Sequence, residues 1–308
     1  MNPRHTDPLP RIFRILSAVL CFMAFSSSGN AQYYGGPAPG TPAGNPNSRP
    51  AAASTPTTRP MEPIVQGDDG NPRRVLPKPP FEQTEAEWKA TQAVLVSWER
   101  FSTNVRTFRS VFTRYRYVIS FNDPNKMDCF QESGELRYES PDKGMFLIND
   151  SAGKSVEKWQ CDGKSIYEYK FNQNQIEQHT LPEKLRGKAI TAGPLPFLFG
   201  ATAAELRKRY HLRLVAPPEG KQKEGQVWLE AFPKTAEDAT DFQRAEMIVS
   251  LKPEVRPVAI RLHKVNNELH SYLFNFNEME VNKAQFLPAS WGPTTGERMK
   301  MQLIMAEK

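Results

Sequence analysis

The sequence predicts an α+β fold: a curled, mostly antiparallel half-barrel sheet of about 11 strands, with an N-terminal helix and short helices covering the concave face. Three observations support this prediction. From Thr107 onward, short runs rich in aromatic and β-branched residues alternate with Gly, Asn, Asp or Pro breaks. The chain lacks the βαβ rhythm of a parallel sheet. Several runs are apolar on both faces, which is more than a one-sided sheet needs.

Residues 1–31 have the pattern of a cleaved secretory signal peptide. Two arginines precede an apolar run over 15–25, and small residues precede the expected cleavage after Ala31. The run is too short to span a bilayer as a helix, which takes about 20 residues. We therefore expect export, to the periplasm or out of the cell.

The next segment, 32–80, is predicted to be a disordered linker. Twelve of its 49 residues are proline, and Gly, Ala, Ser and Thr fill most of the rest. Such a segment has little apolar surface with which to offset the entropy of ordering. The predicted domain spans 81–291, and 292–308 forms a C-terminal tail without a structural prediction.

The charge of the chain argues against a nucleic-acid partner. The formal net charge of +6 falls to +4 once residues 1–31 are removed, because they carry three Arg and one Asp. The remaining basic residues are interleaved with acidic ones and form no cluster of the kind that binds phosphates.

The first helix is predicted to begin after Thr84, which forms a capping box with Glu87. One apolar stripe then follows at helical spacing, formed by Trp88, Leu95, Trp98 and Val105. A sheet is the element expected to cover this stripe.

The first group of strands is predicted to be a meander. In chain order its runs are TFRSVFTRYRYVISF, ESGELRYES, MFLIN, SVEKWQC, SIYEYKF and NQIEQHTL. Asp162-Gly163 is predicted to be a two-residue type I′ turn between the fourth and fifth runs, because Asp-Gly is a strong hairpin signal. That turn would place Trp159 opposite Ile166.

The run GPLPFLFG, Gly193 to Gly200, separates the two groups of strands. It is either a core plug where the chain crosses between the halves of the sheet, or a flap over an apolar cavity. Its glycines and prolines suit a rigid segment between two hinges. A capping box of Thr202 and Glu205 then opens a short helix that ends near Arg209. The second group of strands follows, as HLRLVA, QVWLEAF, FQRAEMIVSL, PVAIRLHKV and LHSYLFNF.

The two cysteines of the exported chain, Cys129 and Cys161, are predicted to be reduced, although export permits a disulfide. The meander places them at the start of one strand and at the end of another that runs the same way. At about 3.3 Å per residue they lie too far apart for a disulfide, whose Cα atoms are roughly 4.4–6.8 Å apart.

The sequence contains no G-x-S-x-G, phosphate-binding loop, G-x-G-x-x-G or HExxH motif, so no cofactor, no metal site and no catalytic residue is predicted. Paired carboxylates such as Glu132 and Glu135 are expected on solvated faces. An enzyme hypothesis rests on His263, Glu268 and His270 around a short turn. Two histidine rings on opposite faces of the sheet would remove it.

Six segments resemble a secreted, planctomycete-type domain of unknown function, and they cover roughly 84–291. They are GELRYESPDKGMF, EKWQCDGKSIYEY, GPLPFLFG, ELRKRYHLRLV, VWLEAFPKTAEDATDF and AQFLPASW. The order of the parts is also similar to the LolA/LolB-like fold of lipoprotein-localisation factors. The positions that carry this second resemblance are Gly134, Pro141, Asp162, Gly163, Lys164 and 194–199. Ser140 stands where those carriers tend to place a basic residue.

The resemblance implies a half-open barrel with a helical lid and an apolar cavity, in a periplasmic carrier or sensor that holds acyl chains. The candidate cavity residues are the apolar and aromatic positions expected to point inward. They are Trp88, Leu95, Trp98, Phe112, Trp159, Tyr167, Tyr169, Leu195, Phe197, Leu198 and Phe199.

Two function classes remain open. The first is a non-enzymatic exported envelope protein that binds or carries a lipid or a lipoprotein acyl chain, with a lipid or an acylated lipoprotein as partner and a peripheral contact with the membrane. The second is a structural or interaction protein of the cell envelope, with a self-filled core and no ligand. An apolar pocket of about 300 Å³ or more on the concave face would favour the first class.

Overall fold

The computed structural model describes residues 64–66, 72–74, 78–123, 125–187, 202–236, 238–240 and 242–306. Within them the fold is an open, mostly antiparallel β-sheet with few helices, which confirms the predicted class in outline. The main sheet has 13 strands rather than about 11. The expected signal peptide lies outside the described residues.

The described residues contain three α-helices, and both predicted capping boxes are present. The helices are α1 (Glu85–Asn104), α2 (Ala203–Arg209) and α3 (Thr295–Lys300). Oγ1 of Thr84 accepts a hydrogen bond from the backbone N–H of Glu87, and Thr202 does the same for Glu205. These caps satisfy backbone donors that a helix N-terminus otherwise leaves without partners.

Every run that the sequence predicts as a strand forms one, and the part of the chain that the structure describes contains four further short strands. Two of these, β1 (Ile64–Gln66) and β2 (Pro72–Arg74), pair as a ribbon inside the segment predicted to be disordered. The others are β14 and β15. The main sheet consists of β3 (Thr107–Ile119), β4 (Met127–Glu139), β5 (Lys143–Asn149), β6 (Ser155–Asp162), β7 (Ser165–Lys170), β8 (Gln175–Thr180), β9 (Tyr210–Val215), β10 (Gln226–Pro233), β11 (Arg244–Ser250), β12 (Arg256–His263), β13 (Leu269–Phe274), β14 (Glu280–Val281) and β15 (Gln302–Met305).

The sheet is made of two meanders joined at its middle. Its order is β15-β8-β7-β6-β5-β4-β3-β13-β12-β11-β10-β9, and β14 also pairs with β3. The antiparallel pair β3–β13 joins the meanders, while β15 lies parallel to β8 at one end. The C-terminal segment, for which the sequence makes no prediction, thus adds a strand to the sheet.

The register of the β6–β7 hairpin differs from the prediction. Trp159 lies opposite Glu168 rather than Ile166, and Cys161 lies opposite Ile166. Because the shift is two residues, the side chains keep the faces that the sequence assigns to them.

The β6–β7 turn itself is Gly163-Lys164, and the predicted Asp162-Gly163 type I′ turn is wrong. Gly163 has a φ of 86°, as expected for glycine at the first central position of a type II′ turn. Oδ1 of Asp162 accepts hydrogen bonds from the backbone N–H groups of Lys164 and Ser165. Asp162 therefore shapes the turn through its side chain and lies at the end of the strand.

Helix α1 covers one face of the sheet, called here the inner face. Leu95 and Trp98 are fully buried in one apolar cluster with strand residues such as Phe112 and Leu229. The helix packs against β9 and α2, and Oε2 of Glu99 accepts a hydrogen bond from the backbone N–H of Ala203. The apolar stripe of α1 is thus confirmed at its centre.

Candidate functional site

The inner face changes from apolar to charged along the strands. On β3, Phe112 is followed on the same face by Arg114 and Arg116. On β6, Glu157 precedes Trp159 on the same face, because side chains two positions apart in a strand share a face. The apolar half lies under α1, and the charged half lies beyond it.

Arg114 is the centre of the charged half and is almost fully buried. Its Nε donates a hydrogen bond to Oε2 of Glu132 over 2.5 Å, and its Nη1 donates to Oε2 of Glu157 over 2.9 Å. Together with Glu268 and His270, these residues are called here the charged cluster. Glu132 is buried, so the expectation of a solvated face is wrong for this residue.

The cluster holds a carboxyl group whose pKa is far from its ordinary value. Burial raises the pKa of Glu157 to about 7, and the charge of Arg114 offsets this effect only in part. Burial also lowers the pKa of His270, although its Nε2 lies 2.8 Å from Oε2 of Glu268, which acts in the opposite direction. Both groups therefore favour their neutral forms compared with the same groups in water.

A cleft of about 620 Å³ lies at the charged end and extends around the ends of β4, β6 and β7. Apolar and aromatic side chains form part of its wall, namely Phe130, Val156, Trp159, Tyr169 and Phe171. Four basic and five acidic side chains also line it, so neither sign of charge is in strong excess. They are Arg114, Arg116, Lys154, Lys170, Glu132, Asp150, Glu157, Glu168 and Glu268.

The structure brings only some of the candidate cavity residues to this cleft. Trp159 and Tyr169 line it. Leu95, Trp98 and Phe112 lie in the packed core under α1. Tyr167 packs on the outer face of the sheet beside Tyr169, with Ile176 and Met301 in the same cluster.

The remaining candidates lie elsewhere. Trp88 is 41% exposed and lines a second cleft of about 470 Å³ between β9 and the segment that precedes α1. Leu195, Phe197, Leu198 and Phe199 lie outside the described residues, as does the whole GPLPFLFG run.

The charged lining of the cleft was not predicted from the sequence. A signal was available on β3, where strict alternation places Arg114 on the face of the predicted cavity residue Phe112. On β6 the same alternation places Glu157 beside Trp159. Charged residues at inward positions of strands are rarely fully buried unless they are paired.

The histidines of the enzyme hypothesis lie on opposite faces of the sheet. His263 pairs with Leu269 across the β12–β13 hairpin and Leu262 pairs with His270, so the two rings point away from each other. Nε2 of His263 contacts Glu246 on the outer face, whereas His270 belongs to the charged cluster. This arrangement removes the proposed catalytic cluster.

Both cysteines are free, as predicted, with Cys129 exposed and Cys161 buried. Burial raises the pKa of the Cys161 thiol well above its ordinary value. Its Sγ donates a hydrogen bond to the backbone oxygen of Asp142. A buried thiol of this kind is a poor nucleophile at neutral pH.

No protein-family model matches the chain, and a search of curated proteins gives no match. Among solved structures, the chain is similar to an uncharacterised conserved protein of Thermus thermophilus, with 12% identity, a TM-score of 0.38, and 71% of this chain and 99% of that chain covered. It is similar to a LolA superfamily protein of Nitrosomonas europaea, with 10% identity and a TM-score of 0.33, and the match covers 66% of this chain and 97% of that chain. It is also similar to the lipoprotein LppX of Mycobacterium tuberculosis, with 9% identity and a TM-score of 0.35, and the match covers 63% of this chain and 98% of that chain. At these identities and TM-scores, none of the three assigns a function to this chain.

Among the described residues, no helix combines the length and the apolar character needed to cross a bilayer.

Proposed function

We propose that this chain is an exported, non-enzymatic protein of the cell envelope that binds an amphiphile through its acyl chain. The observation that carries the proposal is the cleft of about 620 Å³, in which an apolar, aromatic wall meets buried charges. Its volume is within the range of about 300–1,000 Å³ typical of ligand sites. A free lipid and the acyl chain of a lipoprotein are both ligands of this kind.

The two parts of the cleft suit the two parts of an amphiphile. Val156 and Phe130 are half-exposed apolar residues of its wall, and contact with an acyl chain would remove their surface from water. Arg116 and Lys154, which line the cleft and keep part of their surface exposed, supply donors for a polar head group at the same site. Because acidic residues accompany these donors, the cleft is suited to a head group with both donors and acceptors.

An apolar hairpin tip next to the cleft supports contact with a membrane surface. Phe121, in the β3–β4 connection, is 98% exposed, and Ile119 and Met127 are half exposed near it. Phe130 on the same hairpin lines the cleft. Clustered exposed apolar side chains typically mark an interaction surface. The proposal therefore includes peripheral binding of this tip to lipid, on the periplasmic or extracellular side.

One observation favours the second class, a structural or interaction protein with a self-filled core. The apolar half of the inner face is occupied by the protein's own side chains, with Leu95, Trp98 and Phe112 each at most 3% exposed. In this alternative the cleft stays filled with water and holds no acyl chain.

The test is a titration with cis-parinaric acid, a fluorescent fatty acid, followed through energy transfer from tryptophan. We expect binding to the wild type and at least a tenfold weaker affinity in Val156→Glu, because the new carboxylate would have to lose water beside the acyl chain. Leu273→Glu is the matched control, since Leu273 is also a strand residue, is 44% exposed against 40% for Val156, and does not line the cleft.

Wild-type affinity in Leu273→Glu together with loss in Val156→Glu supports the proposal. Equal affinity in all three proteins places the probe elsewhere and contradicts it. Failure of the wild type to bind, with no lipid retained in native mass spectrometry, favours the self-filled alternative.

A further inference from the structure

A group of three side chains on the inner face, Glu168, Glu177 and His179, has the chemistry of a metal site. Glu168 is on β7, and Glu177 and His179 are on β8 two positions apart, so both point to the same face. Glu168 lies directly opposite Glu177 in the β7–β8 ladder. One donor atom from each of the three lies within 4.8 Å of the other two.

The histidine of this group is buried and has an orphaned nitrogen. His179 is 6% exposed, and its Nε2 makes no hydrogen bond with any residue that the structure describes. Buried polar atoms almost always have a partner, so an orphaned one requires an explanation. The nitrogen points at the two carboxylates, with distances of 3.7 Å to Oε2 of Glu168 and 3.6 Å to Oε2 of Glu177.

These distances are too long for hydrogen bonds but close to those between two ligands of one ion. Imidazole nitrogens and carboxylate oxygens bind Zn²⁺ at about 2.0–2.2 Å, and two such ligands at a tetrahedral angle lie about 3.4 Å apart. A shift of a few tenths of an ångström would therefore bring the His179 nitrogen to ligand spacing from each carboxylate oxygen. The donor atoms of the two glutamates lie within 4.8 Å of each other.

The charges of the group also point to a cation. Two glutamates directly opposite each other in a ladder repel, and both are partly buried here. Lys170 compensates only in part, because its Nζ pairs with Oε1 of Glu168 and is 3.9 Å from Oε2 of Glu177. The other oxygen of Glu168, Oε2, faces His179, so the lysine and the imidazole lie next to different oxygens of this carboxylate.

We propose that Oε2 of Glu168, Oε2 of Glu177 and Nε2 of His179 bind a divalent transition-metal ion of the Zn²⁺ type. Imidazole is a ligand for Zn²⁺ and its neighbours in the first transition row, whereas Mg²⁺ and Ca²⁺ prefer sites made only of oxygen. Three protein ligands leave at least one coordination position open. The site borders the cleft, because Glu168 and Lys170 line both, but its existence does not depend on an amphiphile.

The first experiment is a titration of the tag-free protein with ZnCl₂ by calorimetry, in a Cys129→Ser background that removes the exposed thiol. We expect one ion per chain, and at least tenfold weaker binding in Glu177→Gln and in His179→Gln. His263→Gln is the matched control, because that histidine also contacts a glutamate but lies on the outer face. Its affinity should equal that of the parent.

The variant His179→Gln changes a buried residue and could fold poorly, so two further measurements do not depend on it. In the parent protein labelled with ¹⁵N-histidine, Zn²⁺ should shift the imidazole resonances of His179 and leave those of His263 in place. Zn²⁺ should also raise the melting temperature of the parent but not that of Glu177→Gln, since an ion that binds only the folded state stabilises it.

The proposal is overturned if the parent binds no Zn²⁺, if Glu177→Gln binds as tightly as the parent, or if the His179 resonances do not move. Competition by Ca²⁺ at concentrations equal to those of Zn²⁺ would contradict the assignment to a transition metal.

Discussion

Glu157 of the charged cluster combines an ion pair with a raised pKa. Its carboxylate pairs with Arg114, yet burial outweighs that pairing and raises its pKa to about 7. A carboxyl group with a raised pKa in the folded state binds a proton there that the unfolded state has already released.

This difference in proton binding makes the stability of the folded protein depend on pH. Between the unfolded pKa of about 4.3 and the folded pKa, the folded state holds the proton, so the free energy of unfolding falls as pH rises through this window. We predict that Glu157→Gln matches the wild type near pH 5 and is more stable by about 1–3 kcal/mol near pH 8. Urea unfolding of both proteins at the two pH values measures this. A difference between them that does not change with pH would show that Glu157 is charged throughout.

Single residues were also where the sequence was least reliable. The Asp-Gly signal correctly located the β6–β7 hairpin, but the side chain of Asp162 captures two backbone N–H groups and moves the turn by one residue. Sequence pattern specifies the faces of a strand well because they alternate, whereas a turn depends on local competition for hydrogen bonds.

At the scale of elements, the capping boxes were the most reliable sequence signals. Thr84 and Thr202 open α1 and α2 where predicted, because the signal needs only residues three positions apart. The boundaries of the longer strands follow from aromatic and β-branched runs. By contrast, β14 and β15 have two and four residues, too few to show a strand pattern in the sequence. They form by pairing with β3 and β8, which the sequence of each short segment does not reveal.

Helix α3 depends on one glutamate that has two roles. Glu297 completes a capping box with Thr294, and it also pairs with Lys158 of β6 and accepts a hydrogen bond from the hydroxyl of Tyr169. The same carboxylate thus starts the helix and attaches it to the outer face of the sheet.

We predict that Glu297→Ala lowers the free energy of unfolding by about 1–2 kcal/mol, because both a cap and contacts with the sheet are lost. Glu87→Ala is the matched control, since Glu87 belongs to the capping box of α1 and is exposed. Its effect should be smaller. Chemical denaturation of the three proteins measures the difference, and equal losses would mean that the contacts with Lys158 and Tyr169 contribute nothing.

At the scale of the whole molecule, the sequence predicted an open sheet with a covering helix but not the charged end of its inner face. The strands, the covering helix and its apolar stripe arise from local sequence patterns, and the structure contains all three. The placement of Arg114, Glu132 and Glu157 next to one another depends on the lateral order of β3, β4 and β6, which local pattern does not specify. The charged end of the inner face could therefore not be predicted as a unit.

The order of the strands also has a consequence for the integrity of the chain. The β3–β13 pair joins residues such as Tyr115 and Ser271, and β15 returns to β8 from the far end of the chain. Helix α1 packs on β9, so each half of the chain contributes to the other half's structure. The part of the chain up to residue 187 and the part from residue 202 therefore share one sheet and one core.

Cutting the backbone between the halves should therefore leave them associated. We predict that a protease site inserted within 188–201, once cleaved, yields two fragments that elute together in gel filtration under native conditions and separate in denaturant. The shared ladders and the common apolar core hold them together without the peptide link. Fragments that elute separately without denaturant would show that the two meanders are independent bodies that meet only through the chain between them.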